Sequence, residues 1–149
     1  MIFQHTWQQV LTGEKTQTRR LVKPVHCAWS NEFDIEGQPI DITDVRIVYE
    51  ESYATREVWR VGKTYAVQPG RGKKAVGRIR ITAIRREALQ DVSCDDALQE
   101  GAYPYGRGIW STAVEEFAEL WDSIHDKPGT TWNDNPAVWV LTFELALEN

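Results

Sequence analysis

Apolar positions along the chain recur with two periods, and the switches between them mark the elements. Residues 5–12 place Trp7, Val10 and Leu11 on one side of a short helix that Gly13 stops. Thr16 to Val22 reads as a strand ending before Pro24, and Thr64 to Gln68 as another after a turn at Gly62. Ala75 to Arg85 alternates most clearly and predicts Ile79, Ile81 and Ala83 on the inner face. Ser93 is placed to cap a helix over Cys94–Gln99, with Asp95 and Asp96 in its first turn and Gly101 beyond its end. Thr112 with Glu115 opens a second helix running to His125, whose buried stripe is Val114, Phe117, Trp121 and Ile124. Val138 to Leu145 closes the chain as a strand with Trp139, Leu141, Phe143 and Leu145 on one face. The acidic stretch 25–55, with a turn at Gly37-Gln38-Pro39, reads as an insertion or long loop apart from a strand near Val45–Tyr49. Short strands with few crossover helices predict a single α+β domain over 1–149, built on a small, mostly antiparallel barrel or curled sheet.

Composition narrows the class. The chain has 149 residues, 42% hydrophobic and 11% aromatic with seven tryptophans, which suits a folded domain with a core of its own. No apolar run reaches the length of a membrane span and no leader pattern opens the chain, so a soluble cytoplasmic protein is expected. Two cysteines, Cys27 and Cys94, and three scattered histidines offer neither a disulfide framework nor metal-ligand spacing. No metal or organic cofactor is therefore expected. The net charge of −5 conceals a segregation. Residues 56–86 hold ten Lys/Arg against Glu57 alone, between acidic flanks. A cationic middle permits an anionic ligand, and it equally suits the solvated outer face of a strand pair.

Familiar catalytic signatures are missing. Gly70-Arg71-Gly72-Lys73-Lys74 lacks the glycine spacing and the following hydroxyl of a phosphate loop. What remains is Gly13-Glu14-Lys15-Thr16-Gln17-Thr18-Arg19-Arg20. On a strand, Thr16, Thr18 and Arg20 share one face while Gln17 and Arg19 take the other. Lys15 falls in the preceding turn, within reach of Thr18. A threonine hydroxyl needs a base, and a lysine serves as one only if its pKa drops by about 3 units, a cost of about 4 kcal/mol. Burial or the neighbouring cations Arg19 and Arg20 supply shifts of that kind. Spacing alone, however, is met equally well by an exposed polar hairpin.

The stretch resembles the signature of ASCH domains, Gly-x-Lys-x-x-Glu-x-Arg, through Gly13, Lys15 and Arg20, with Thr18 where the glutamate usually stands. The resemblance continues through Gly62-Lys63-Thr64, the strand Val76–Ile84, the Leu89–Gly101 segment and the C-terminal Trp-Asp-Ser-Ile-His and Asn-Pro-Ala-Val-Trp-Val regions. It covers most of the chain and leaves 25–55 as an elaboration. It implies a PUA-like β-barrel with a cleft beside the signature. The threonine variant is similar to bacterial N(4)-acetylcytidine amidohydrolases, whose pattern Gly-x-Lys-Thr-x-Thr-x-Arg is complete here as Gly13, Lys15, Thr16, Thr18 and Arg20.

That similarity implies Thr18 as nucleophile, Lys15 as its base and Glu100 as the proton shuttle to the departing amine. Glu100 is reached in register from Ile79–Ala83, Leu89, Ser93 and Ala97. Arg20, with Arg19 and Thr16, completes the expected substrate-binding set; Arg20 would orient the acyl group, stabilise an oxyanion or hold Glu100. Trp29, Trp59 and Trp110 are the aromatic candidates to stack on the base. The implied partner is a modified nucleoside, with RNA as a further possibility. A noncatalytic RNA-binding or modified-base-reading module and a ribonuclease are the alternatives, the first favoured by the basic 56–86 segment and opposed by its acidic flanks.

Overall fold

The computed structural model describes residues 1–49, 54–103 and 111–147 of the protein. The described elements run α1 (Trp7–Thr12), β1 (Gln17–Leu21), β2 (His26–Phe33), β3 (Pro39–Val48), β4 (Thr55–Arg60), β5 (Thr64–Val67), β6 (Gly77–Ala88), α2 (Cys94–Gln99), α3 (Ala113–Ile124) and β7 (Ala137–Leu145). Their strands form one antiparallel sheet in the order β1-β7-β6-β3-β2, with β4 on β3 and β5 on β6. The expected barrel does not close. β2 lines one edge of β3 throughout, so β4 and β6 share the other edge, and β6 meets β3 only at Ile42–Ile84. The β2–β3–β4 wing therefore splays from β6, and β1 and β2 remain at opposite ends of the sheet. No described helix is long and apolar enough to cross a membrane.

Two further expectations are corrected. The segment 25–55, expected to be irregular, supplies the long hairpin β2–β3, paired from His26–Ile47 to Phe33–Pro39. Asp34 Oδ1 accepts the Glu36 and Gln38 amides at its tip, and Gly37 takes the left-handed φ of 80° that the turn requires. In β6, a bulge between Ile81 and Ala83 shifts the alternation by one residue. Ile79, Ile81 and Ile84 point inward, while Thr82 and Ala83 are exposed.

The helix caps follow the sequence signals. Ser93 Oγ accepts the Asp96 amide and Thr112 Oγ1 the Glu115 amide. β7 is buried on both faces. Val138 and Val140 meet Phe117 and Trp121 of α3 with Leu89 and Ala97, while Trp139 and Leu141 pack with Ile42, Val45, Ile81 and Ile84 on the other side. A third cluster joins Phe3 and Val10 to Val67, Ile79 and Phe143. Each such fully buried aliphatic side chain is worth about 1.5–3 kcal/mol. Two stripe ends are open instead: Ile124 is 51% exposed and Leu145 41%. The N-terminal residues bridge alongside β5 at Ile2–Gln68, which sets Phe3 beside β1.

Candidate active site

Gly13, at φ 82°, ends α1 and turns the chain so that the Lys15 amide donates to Gln9 O and the Thr16 amide to Gln99 O. This second bond docks the start of β1 against the end of α2. Glu100 caps that helix end, and Gly101 leaves it at φ 91°, close against the stem of Lys15. Lys15 is thereby buried at 5% exposure. Its Nζ donates to Glu100 Oε2 (2.9 Å) and to the Glu100 carbonyl (2.8 Å). Arg19 Nη1 donates to Glu100 Oε1 at 3.2 Å, so both carboxylate oxygens are held.

Arg19 is itself fully enclosed. Its Nη2 reaches Glu87 Oε1 (2.6 Å) and Asp96 Oδ2 (3.3 Å), and Arg85 ties to the same two carboxylates from outside. Lys15, Arg19 and Arg85 thus balance Glu87, Asp96 and Glu100, as a buried ionic network must if desolvation is to be offset. Burial pushes the Lys15 pKa below the ordinary lysine value. Attraction to Glu100 opposes this, and Arg20 and Arg19 reinforce it. Burial alone would raise the Asp96 pKa, but the Gln17 amide, Arg19 and Arg85 hold it below the usual carboxylate value.

Thr18 lies opposite Leu141 of β7, and its Oγ1 accepts from Arg20 Nε at 3.2 Å. Arg20 also donates from Nη2 to Ile2 O (2.8 Å) and sits over the Phe3 ring at 5.3 Å. Thr18, Lys15, Arg19, Arg20 and Glu100 line one cavity of about 200 Å³. Its other walls include Phe3, Phe117, Leu120, Trp121 and His125. The His125 ring stacks on Trp121 at 3.8 Å and 17°, with Nδ1 3.1 Å from Trp121 O. Burial lowers the His125 pKa, and Arg20 adds to the effect, although the Trp121 carbonyl and Asp122 oppose it.

The structure brings Lys15, Thr18, Arg19, Arg20 and Glu100 together, but the contacts differ in part from expectation. Among the described residues, Lys15 Nζ bonds Glu100 and not Thr18 Oγ1, and Arg19 rather than Arg20 holds Glu100 by hydrogen bond. Thr16 does not line the cavity; its backbone bonds to Gln99 and Phe143 instead. Trp29 packs under Arg46 and Trp59 beside His26, both away from the cavity, and Trp110 lies outside the described residues. The aromatic wall comes from the stripe expected to be purely core. The i, i+4 spacing of Phe117, Trp121 and His125 was its visible signal. Phe3 and Glu87 gave none, because both arrive through long-range pairing. Several basic residues of 56–86 are paired with acids: Arg60 and Lys63 with Glu57, Arg80 with Glu144, and Arg85 with Glu87 and Asp96.

No protein-family model matches the sequence, and no curated protein matches it. Solved structures do resemble it. One is a protein of Enterococcus faecalis V583 assigned to the family DUF984, with TM-score 0.52 and 16% identity over 94% of this chain and 69% of that one. Another is an ASCH domain from Lactobacillus crispatus JV V101, with TM-score 0.50 and 18% identity over 93% and 69%. The fold is ASCH-like. At these identities the likeness concerns the backbone path alone. Within this ASCH-like fold the candidate site lies where β1, the end of α2, α3 and the N-terminal residues converge.

Proposed function

We infer that the protein is an amidohydrolase that removes the acyl group from N(4)-acylated cytosine or cytidine. The observation that carries this reading is the convergence of Lys15, Thr18 and Glu100 on one cavity, with Lys15 and Glu100 in contact at 2.9 Å although 85 positions apart. A solvated hairpin would not bury a lysine. A lysine held below its ordinary pKa against a carboxylate in a cavity favours acid–base chemistry over binding alone.

The chemistry runs from these groups. Thr18 Oγ1 attacks the amide carbonyl carbon, and its proton passes to neutral Lys15 Nζ as Nζ exchanges its bond to the Glu100 carbonyl for one to the hydroxyl. Lys15 hands that proton across the 2.9 Å bond to Glu100, which delivers it to the departing N(4) nitrogen as the C–N bond breaks. Water then attacks the acyl-threonine ester, losing its proton to Glu100, and Lys15, which shares that proton across the 2.9 Å bond, returns it to Thr18 Oγ1 as the ester C–O bond breaks. The acid leaves and the Thr18 hydroxyl is restored. Arg20, already bonded to Thr18 Oγ1, stabilises the negative charge that develops on the carbonyl oxygen.

The test is incubation with N(4)-acetylcytidine while cytidine release is followed. Turnover is expected in the wild type, loss in Thr18→Ala, and partial retention in Thr18→Ser. Absence of turnover, or undiminished turnover in Thr18→Ala, overturns the reading and leaves the noncatalytic binding module and the ribonuclease as the alternatives.

A further inference from the structure

Of the Lys and Arg side chains that line the cavity, Lys15 and Arg19 are paired with carboxylates and the half-buried Arg20 is not, among the described residues. Lys15, Arg19 and Arg85 are neutralised by Glu87, Asp96 and Glu100, while Arg20 has no carboxylate within salt-bridge distance among the described residues. Its Nε is used by Thr18 Oγ1 and its Nη2 by Ile2 O, which leaves Nη1 without an acceptor among the described residues. Burial opposes its charge, yet a guanidinium does not lose its proton in a protein. A half-buried guanidinium with a donor to spare offers an anion that enters the cavity a charge-assisted hydrogen bond.

Thr18 supplies a second donor. Its Oγ1 already accepts from Arg20 Nε, so the hydroxyl proton is directed elsewhere. The rest of the cavity is largely apolar around this pair, with Phe3, Phe117, Leu120, Trp121 and Ile124 in its walls. Glu100 does not oppose an incoming anion strongly, since both its oxygens are engaged by Lys15 and Arg19.

The geometry points to a carboxylate-binding subsite, in which Arg20 Nη1 and the Thr18 hydroxyl hold the oxygens of a short aliphatic acid whose tail lies on the apolar wall. A compact, hydrated oxyanion such as inorganic phosphate satisfies the cation but leaves the wall exposed to water, so it binds less well. If the proposed hydrolysis holds, this ligand is the released acyl product, and the subsite sets acyl preference toward chains longer than acetyl. Only that identification rests on the hydrolase reading; the binding itself does not.

The test measures binding of acetate, propionate, butyrate, inorganic phosphate and chloride to the protein by ligand-observed NMR and tryptophan fluorescence at constant ionic strength. Affinity is expected to rise about fourfold per added methylene until the cavity is filled, and to exceed that for phosphate and chloride. Arg20→Gln weakens butyrate at least about tenfold, and Arg20→Lys recovers part of the loss. Equal, chloride-like binding of all five anions overturns the proposal without recourse to a variant, as does butyrate binding unchanged in a folded Arg20→Gln protein. Turnover of N(4)-acetylcytidine without carboxylate binding removes this subsite and leaves the hydrolase. Carboxylate binding without turnover keeps the subsite and removes the hydrolase.

Discussion

At the scale of single residues, Lys15 carries the most informative titration. Its pKa lies below the ordinary lysine value of about 10.4, because burial outweighs its attraction to Glu100. In the proposed hydrolysis Lys15 acts as base only when neutral, so kcat/KM is expected to fall as pH drops through that lowered pKa, by about tenfold per unit on the acid limb. Lys15→Met removes the limb along with the activity; a pH–rate profile in which the limb survives the substitution assigns the base elsewhere. His26 titrates with a consequence for stability instead. Its Nδ1 accepts from both the Trp139 indole (3.0 Å) and the Lys23 amide (3.1 Å), an arrangement open only to the neutral ring. Burial, and then Lys23, lower its pKa in the folded state. The unfolded chain therefore takes up a proton first. The stability His26 contributes is complete above the unfolded value of about 6.5, and it declines as pH falls from there toward the folded pKa. Denaturant midpoints from pH 7.5 to 5 should fall in the wild type and fall less in His26→Gln; parallel slopes would show that His26 is not responsible.

Between elements, β6 and α2 jointly hold the Glu100 carboxylate through Arg19. Glu87 on β6 and Asp96 on α2 fix Nη2, which leaves Nη1 aimed at Glu100. Glu87 is not itself in the cavity lining and acts through Arg19, so it is a positioning residue. Glu87→Gln keeps the side-chain shape and removes one charge from the network. Substrate binding is expected to change little while kcat drops about tenfold and the acid limb of the pH profile shifts, as Arg19 leans onto Glu100 and draws charge from Lys15. A proportional loss from a merely loosened fold, with an unshifted pH profile, would argue against this role. These couplings also explain which parts of the structure the sequence revealed. The caps at Ser93 and Thr112, the stop at Gly13 and the period-two run before the β6 bulge are local, and their chemistry is written at the positions concerned. The bulge is not written there. It is imposed by the pairing of β6 with β7, and it turns Ala83 out and Ile84 in. The Lys15-to-Arg20 faces were legible for the same local reason. That β1 has its polar side chains buried was not, because the burial comes from the end of α2, joined through Thr16 and Gln99 across a long stretch of chain.

At the scale of the whole molecule, the sheet divides into a working part and a wing. β1, the end of α2, α3 and the N-terminal residues line the cavity, with β7 paired to β1 and β6 reaching Arg19 through Glu87 behind them, whereas β2, β3 and β4 neither line it nor pair with β1. The wing is attached by the Ile42–Ile84 pair and by the packing of Ile42 and Val45 against Ile81, Trp139 and Leu141. Beyond Ile42 the hairpin projects from that anchor, with Phe33 at 62% and Ile35 at 104% exposure. Acidic alternation with turn residues made this segment read as a loop, since half its strand positions face water and offer little apolar pattern. Replacing residues 32–40 by a two-residue Asn-Gly turn preserves the anchor and removes only the projecting tip. The shortened protein is expected to keep the wild-type kcat and KM for N(4)-acetylcytidine. Its thermal midpoint should change by no more than a few degrees, because the excised side chains are largely solvated. Hydrogen exchange adds an independent check: amides of β2 and β4 should exchange through openings of lower free energy than those of β7, whose two faces are both buried. Loss of turnover in a variant whose β7 amides stay protected would show that the wing reaches the site after all, and would assign the hairpin tip a part in holding the substrate.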